Sequence, residues 1–201
     1  MHLDLLVCKG NNMAPVSLTK IEDAIKRGCK KAADSYEEFT GGHWLSRAPE
    51  SYIQACLFQE IGALGNLYVT IEASHKRVSE DTEIEFTKKF ISDMKRGRLD
   101  MIVWWANGIP RAIIEIKKFY QLSQFDRDSD RIKYWIDNSN TRIQAGFLVG
   151  YTTAKGGRSE ATLTDRFEKL ARHVDGELKW YDIRSDPDDH GWRSGVGLVK
   201  I

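Results

Sequence analysis

Long apolar runs are missing from this chain. The longest, such as Met101 to Ala106, fall far short of the ~20 residues a membrane-crossing helix needs. The opening Met-His-Leu-Asp-Leu-Leu-Val-Cys-Lys carries an early acid and too short an apolar stretch for a secretory leader. Cysteine is scarce and odd in number: Cys8, Cys29 and Cys56 form neither a CxxC metal motif nor a disulfide framework. That usage predicts buried thiols in a reducing cytoplasm. No Pro/Gly/Ser-rich linker, repeat or low-complexity tract interrupts the chain, so a single domain over 1–201 is expected. Neither sign of charge prevails either. Lys+Arg number 30 and Asp+Glu 29, for a net charge of +1, so the chain is no bulk polycation and any nucleic acid must be held by a local patch.

What is present is an ordinary globular composition, 41% hydrophobic and 29% charged, which excludes disordered and fibrous classes. Thr19 and Glu22 have capping-box spacing, and Ile21, Ala24, Ile25, Ala32, Tyr36 and Phe39 recur near helical period. An N-terminal helix over 17–40, stopped by Gly41-Gly42, follows. A second helix opens at Pro49, with Ile53, Leu57, Ile61 and Leu64 on one face. The period then changes. Leu67 to Ala73 reads as a strand, and Ser79 to Gly97 as a charged excursion with a short helix around Phe86 to Met94. Arg98 to Trp105 and Arg111 to Tyr120 read as two strands flanking Asn107-Gly108, a hairpin signal. A helix over Asp126 to Asn138, a strand over Ala145 to Thr152, a helix over Thr162 to Val174 and a strand over Leu178 to Ile183 complete the pattern. Val196 to Ile201 suits a last strand. The fold class is a mixed α/β sheet with a central antiparallel hairpin flanked by helices, its core about 49–152 and its C-terminal helix and strands over 162–201.

If Asn107-Gly108 is a two-residue turn, facing residues have numbers that sum to 215, and Asp100 lies opposite Glu115. Lys117 then projects from the same face. Opposed side chains have Cβ atoms roughly 4.5–5.5 Å apart, where like charges destabilise. Two carboxylates so placed on apolar strands need a compensating charge, which a hard divalent cation taking oxygen ligands supplies. The Ile116 carbonyl between them could add a ligand. The plain alternative is a cross-strand cluster of Asp100 and Glu115 with Arg98 and Lys117; against it, Met101, Val103, Ile113, Ile114 and Ile116 mark these strands as covered, where unpaired ions are costly.

Asp100, followed fourteen residues on by Glu115-Ile116-Lys117, resembles the D…ExK signature of the PD-(D/E)xK nuclease superfamily, the restriction-endonuclease-like fold. The order of helix, three-stranded meander, helix and strand is similar too. Trp44, Ala48-Pro49-Glu50-Ser51-Tyr52 and Asp128-x-x-Arg131-Ile132 resemble a bacterial and prophage subgroup. Leu99 stands where the superfamily pattern has proline. The resemblance implies an Mg²⁺- or Mn²⁺-dependent deoxyribonuclease, an endonuclease, in phage defence or a mobile element. Asp100, Glu115 and the Ile116 carbonyl would hold the metal, and Lys117 would orient the attacking water.

The resemblance also implies an acid from the preceding helix. Glu50 and Glu60 lie about 15 Å apart along it and point about 80° apart, so one at most reaches the metal. Glu50 is the first choice; Glu60 and Glu72 are weaker candidates. Gln124, Arg127 and Arg131 on and before the next helix, with Arg98, would touch DNA phosphates. Set against this, Asp128 and Arg131 could simply be an i,i+3 helix pair. Lys88, Lys89, Lys95 and Arg96 extend the basic cluster, though such a run is more often a solvated face. Asp186, Asp188, Asp189 and His190 fit no EF-hand spacing. Partners expected are DNA, a second copy of the chain, and defence-system or mobile-element proteins, without a membrane. Two rivals stand beside the nuclease: a non-catalytic nucleic-acid- or protein-binding module on the same fold, and a nuclease subunit active only in a larger complex.

Overall fold

A computed structural model describes residues 15–82, 97–139, 142–185 and 191–201. The helix expected around Phe86 to Met94, the basic run Lys88 to Arg96, Cys8, and the acidic loop Asp186 to His190 lie outside them. Helix α1 spans Leu18–Thr40, its first turn capped by Ser17 and its end closed by left-handed Gly41. A short 3₁₀ turn at Leu45–Arg47 leads into α2, Glu50–Gly62. Strand β1 is Leu67–Ser74, α3 is His75–Thr82, β2 is Arg98–Trp105 and β3 is Pro110–Lys118. A second 3₁₀ turn (Leu122–Phe125) precedes α4, Asp126–Asn138. Then come β4 (Ala145–Lys155), α5 (Ser159–His173), β5 (Glu177–Ser185) and β6 (Trp192–Lys200). No described helix is long and apolar enough to cross a membrane.

The six strands form one mixed sheet in the order β1-β2-β3-β4-β6-β5. β1, β2 and β3 make an antiparallel meander, β4 lies parallel to β3, and β6 and β5 run antiparallel beyond it. The parallel step is possible because α4 carries the chain back across the sheet. Alternation along the central strands builds a core on each face. Met101, Val103, Ala112, Ile114 and Ile116 pack under α1 and α2, whereas Ile102, Trp104 and Ile113 pack under α4 and α5 with Ile132, Trp135, Phe167 and Leu170. Trp104 and Trp105 accordingly join opposite faces. Cys29 and Cys56 are buried free thiols of the first core. Gly146 on β4 lets α4 approach closely, since a Cβ there would meet Ile132 Cγ2 at 1.9 Å. That contact sets the height of α4, and of Asp128 and Arg131, above the strands.

The hairpin is built differently from its sequence expectation. Trp105 N donates to the Ile109 carbonyl and Gly108 N to the Trp105 carbonyl, leaving a three-residue loop with Gly108 at φ 84. This is a type I turn followed by a left-handed residue, and it lowers the pairing sum to 214, as at Trp104 and Pro110. A bulge at Arg111 then adds the residue back, so Val103 faces Ala112 and Met101 faces Ile114, a sum of 215. Two departures cancel, and the register along the strand body is the expected one.

Candidate active site

Asp100 sits where its strand is released on both sides. Toward β1, the register would put it opposite Glu72, but the ladder skips that pair, and Glu72 has a left-handed φ of 52. Such a backbone costs a non-glycine residue about 1–2 kcal/mol. The freed Asp100 carbonyl is taken at 2.8 Å by Gln54 Nε2 of α2, which also lies 3.4 Å from Glu72 Oε1. Toward β3, main-chain pairing ends at Met101 and Ile114. Beyond it the strands part, and carboxylates replace the missing carbonyl acceptors. Ile116 N–H donates to Asp100 Oδ2 at 2.7 Å, and Lys118 N–H donates to Glu50 Oε1 at 3.0 Å. A strand residue's N–H and C=O point to the same edge, so the Ile116 carbonyl lies on the side of Asp100.

Around this fork stand Glu50, Asp100, Glu115, Lys117, Asp128 and Arg131. Glu115 is almost wholly buried, and Arg131 Nη2 reaches its Oε1 at 2.7 Å as an ion pair off the N–H direction. Glu115 Oε1 consequently has no hydrogen-bond partner. The same Nη2 donates to Asp128 Oδ1 at 2.7 Å, and Lys117 Nζ stands 3.5 Å from Asp128 Oδ2. The electrostatics follow from crowding in a dry place. Burial raises the Glu115 carboxyl well above the ordinary range, and the Asp100 charge raises it further. Burial also raises Asp100, although hydrogen bonds from the Ile116 N–H and the Glu115 carboxyl, and the Lys117 charge, offset part of this. For Lys117, burial opposes the ammonium, yet Asp128, Glu50, Asp100 and Glu115 outweigh it and the net shift is upward.

The structure brings Asp100, Glu115, Lys117 and Glu50 together. Glu50 is held by the α2 entry, which Tyr151 of β4 anchors by donating its hydroxyl to the Ala48 carbonyl at 3.2 Å. Glu60 is excluded. It lies on the far end of α2 and pairs with Arg27 and Lys31 of α1. Glu72 borders the site through Gln54, with Arg98 3.9 Å away at the surface. The alternative cross-strand cluster of Asp100 and Glu115 with Arg98 and Lys117 does not form as ion pairs: Arg98 stands by Glu72, Lys117 by Asp128, and Arg131 by Glu115. Arg131 does make the i,i+3 pair with Asp128, but faces inward; buried, it cannot lie on a strand passing over the surface. Gln124 uses its Oε1 on Tyr120 N and Gln121 N, capping the 3₁₀ turn. Arg127 is close enough that its charge acts on His75. Beside Glu72 a groove of ≈ 600 Å³ is lined by Tyr68, Thr70, Arg77, Arg98 and Trp104.

Three contributors were not anticipated: Gln54, His75 and the inward reach of Asp128. Gln54 alone had a readable signal, since it follows Glu50 by one helical turn on the same face. His75 accepts a hydrogen bond from Trp135 Nε1 at 3.1 Å on Nδ1. Burial, and then the charges of Arg131 and Arg127, lower its pKa from 6.5 to about 4. The folded protein therefore binds fewer protons here than the unfolded chain, so this contribution to stability is full above about pH 6.5 and is lost toward pH 4. Urea unfolding at pH 7.5 and 4.5 should show His75→Gln losing less stability on acidification than wild type; equal losses would place the acid sensitivity elsewhere.

The chain matches no family model, no curated protein and no solved structure. Its chemistry therefore rests on its own residues. Among the described residues no three His, Cys, Asp or Glu side chains are gathered as a ready metal cage. Glu50 and Asp128, which could have supplied a third carboxylate, are turned to Lys118 N–H and to the Arg131–Lys117 pair.

Proposed function

We propose that this protein hydrolyses phosphodiester bonds in DNA with Mg²⁺ or Mn²⁺, as a restriction-endonuclease-like nuclease of the PD-(D/E)xK kind. The observation that carries the reading is the buried Asp100–Glu115 pair at the strand fork, with Glu115 Oε1 lacking a hydrogen bond. Glu50, Asp100, Glu115 and Asp128 against Lys117 and Arg131 leave two formal negative charges when all are ionised, the complement of one divalent cation. The donors fit a hard ion: two carboxylates, and the Ile116 carbonyl on the same edge. Bound there, the ion would polarise the scissile phosphate and acidify a water. Lys117, kept charged by four acids, holds the water and offsets charge growing on the phosphate. Glu50 and Asp100 keep the two β3 amides tied, so Lys117 is presented from a fixed strand. The ≈ 600 Å³ groove beside Glu72, with Arg77 and Arg98 on its wall, is where a strand of DNA would lie in this reading. A cytoplasmic setting, and a second copy of the chain to cut the opposite strand, belong to the same reading.

Purified protein should nick supercoiled plasmid in Mg²⁺ or Mn²⁺ and stop in EDTA, and Glu115→Gln should not nick. Equal nicking by the variant would show a contaminating nuclease. A divalent ion that raises Tm only while Asp100 is intact, without cutting, would favour a subunit needing a partner. No divalent binding at all would leave the non-catalytic module.

A further inference from the structure

The residue that the nuclease reading leaves unexplained is Arg131. An arginine destined for DNA belongs at the surface, yet this one is 5% exposed, under α4 and against Glu115. Its Nη2 contacts two carboxylates at 2.7 Å each, while its Nε is buried with no hydrogen-bond partner. A structural arginine normally has its fork of donors satisfied. Here one nitrogen, Nη2, serves both Glu115 and Asp128, while Nε is left unused. The contact with Glu115 is a charge contact rather than a directed hydrogen bond, since Glu115 Oε1 has no hydrogen-bond partner. Asp128, by contrast, accepts a directed bond and sits three residues away on the same helix. Arg131 is therefore hydrogen-bonded to Asp128 and, at the same 2.7 Å, ion-paired with Glu115.

Resting on the metal-dependent reading above, we infer that Arg131 is a built-in counter-ion of Glu115 that a divalent cation displaces, leaving the guanidinium with Asp128 beside the site. Glu115 is claimed from two sides: Arg131 Nη2 already stands 2.7 Å from its Oε1, and a cation at the fork would draw on the same buried carboxylate. Two cations competing for one carboxylate are linked, and each weakens the other by the same factor. The arrangement sets one positive charge beside the buried Asp100–Glu115 pair before a metal arrives. It also makes Arg131 a positioning residue: it sets the affinity of the site without touching the reacting atoms.

The test reads metal binding rather than cutting. Calorimetric titration with Mn²⁺ of wild type, Arg131→Met and Arg131→Lys separates the possibilities, with Asp100→Asn as the control for the site itself. Methionine keeps much of the stem volume and removes the charge; lysine keeps the charge. Arg131→Met should bind Mn²⁺ tighter than wild type, by about 5–150-fold, the ordinary range of coupling between two linked ligands. Arg131→Lys should stay near wild type. Equal or weaker binding by Arg131→Met, with wild-type binding still dependent on Asp100, would overturn the counter-ion role and leave the nuclease reading standing. No Asp100-dependent Mn²⁺ binding in wild type or variant would overturn the metal site, and this inference with it. Should Arg131→Met fail to fold, the ¹⁵N side-chain resonance of Arg131 Nε in wild type, assigned with Arg131→Lys, decides the matter. It should shift on addition of Ca²⁺ and stay still in Asp100→Asn; an unmoved resonance in Ca²⁺-saturated wild type overturns the inference.

Discussion

Asp100→Asn is expected to abolish plasmid cutting and, in EDTA at neutral pH, to raise Tm above wild type. The two effects have one cause. Asparagine keeps an oxygen for the Ile116 N–H that now donates to Asp100 Oδ2 at 2.7 Å, so the fork stays tied. What goes is one of two acids in a dry place. Burial and the Asp100 charge together hold Glu115 well above its ordinary range, and Asp100 is itself raised chiefly by burial. The folded state thus binds more protons than the unfolded chain above the ordinary carboxylate range, and stability falls as pH rises through that window. Neutralising Asp100 lightens this burden, so the Tm advantage of the variant should widen from pH 4.5 to pH 8. Adding Mg²⁺ should raise wild type and leave the variant unmoved. Cutting should fall by at least about 10²–10³-fold, the usual cost of losing one electrostatic stabiliser of a developing charge. A variant less stable than wild type at pH 8 would mean the carboxylate earns more from its hydrogen bond than it loses to its neighbour.

Lys117→Ala is expected to lower the cutting rate by about 10²–10³-fold while binding of Mn²⁺ is kept or strengthened. The lysine is half-buried and touches Asp128 at 3.5 Å, so its loss removes a cation from the edge of an acidic cluster, favouring another cation there. Because the surrounding acids hold its pKa above the ordinary lysine value, it stays protonated across the neutral range. The acid limb of a pH–rate profile would therefore report the carboxyl pair. A calorimetric Mn²⁺ titration and a single-turnover nicking assay on the same preparation check both halves. Unchanged cutting would move the chemistry away from this face; weakened Mn²⁺ binding would make Lys117 a structural support of the ligands.

Much of the fold was legible in the residues. Period defined α1, α2 and α4 closely, although Ser17 rather than Thr19 caps α1, and apolar, aromatic or β-branched runs marked every strand. α3 was not foreseen, since His75 to Thr82 is polar and carries no apolar stripe to read. The C-terminal strands are longer than their apolar cores, because ladder hydrogen bonds extend pairing into polar residues such as Arg193 and Ser194. The hairpin register came out as expected although the turn did not: the three-residue loop and the Arg111 bulge offset each other. Alternation alone cannot see such a pair of compensating departures, since it reports which face a residue is on and not how the chain turned.

The sequence by itself determined the order of the strands and of the longer helices, the two faces of the sheet and the placing of Asp100, Glu115 and Lys117 on one of them. These depend on local spacing, and period 2 along a strand leaves little choice once both faces are covered. Only the tertiary structure decided which distant groups meet there. Glu50 rather than Glu60 reaches the fork because α2 enters the fold beside the end of β3 and leaves it against α1. Arg131 turns inward because α4 settles on β4 over Gly146, which lowers it onto Glu115. Such encounters join residues far apart in the chain across packed layers, and no periodicity of a single element carries that information.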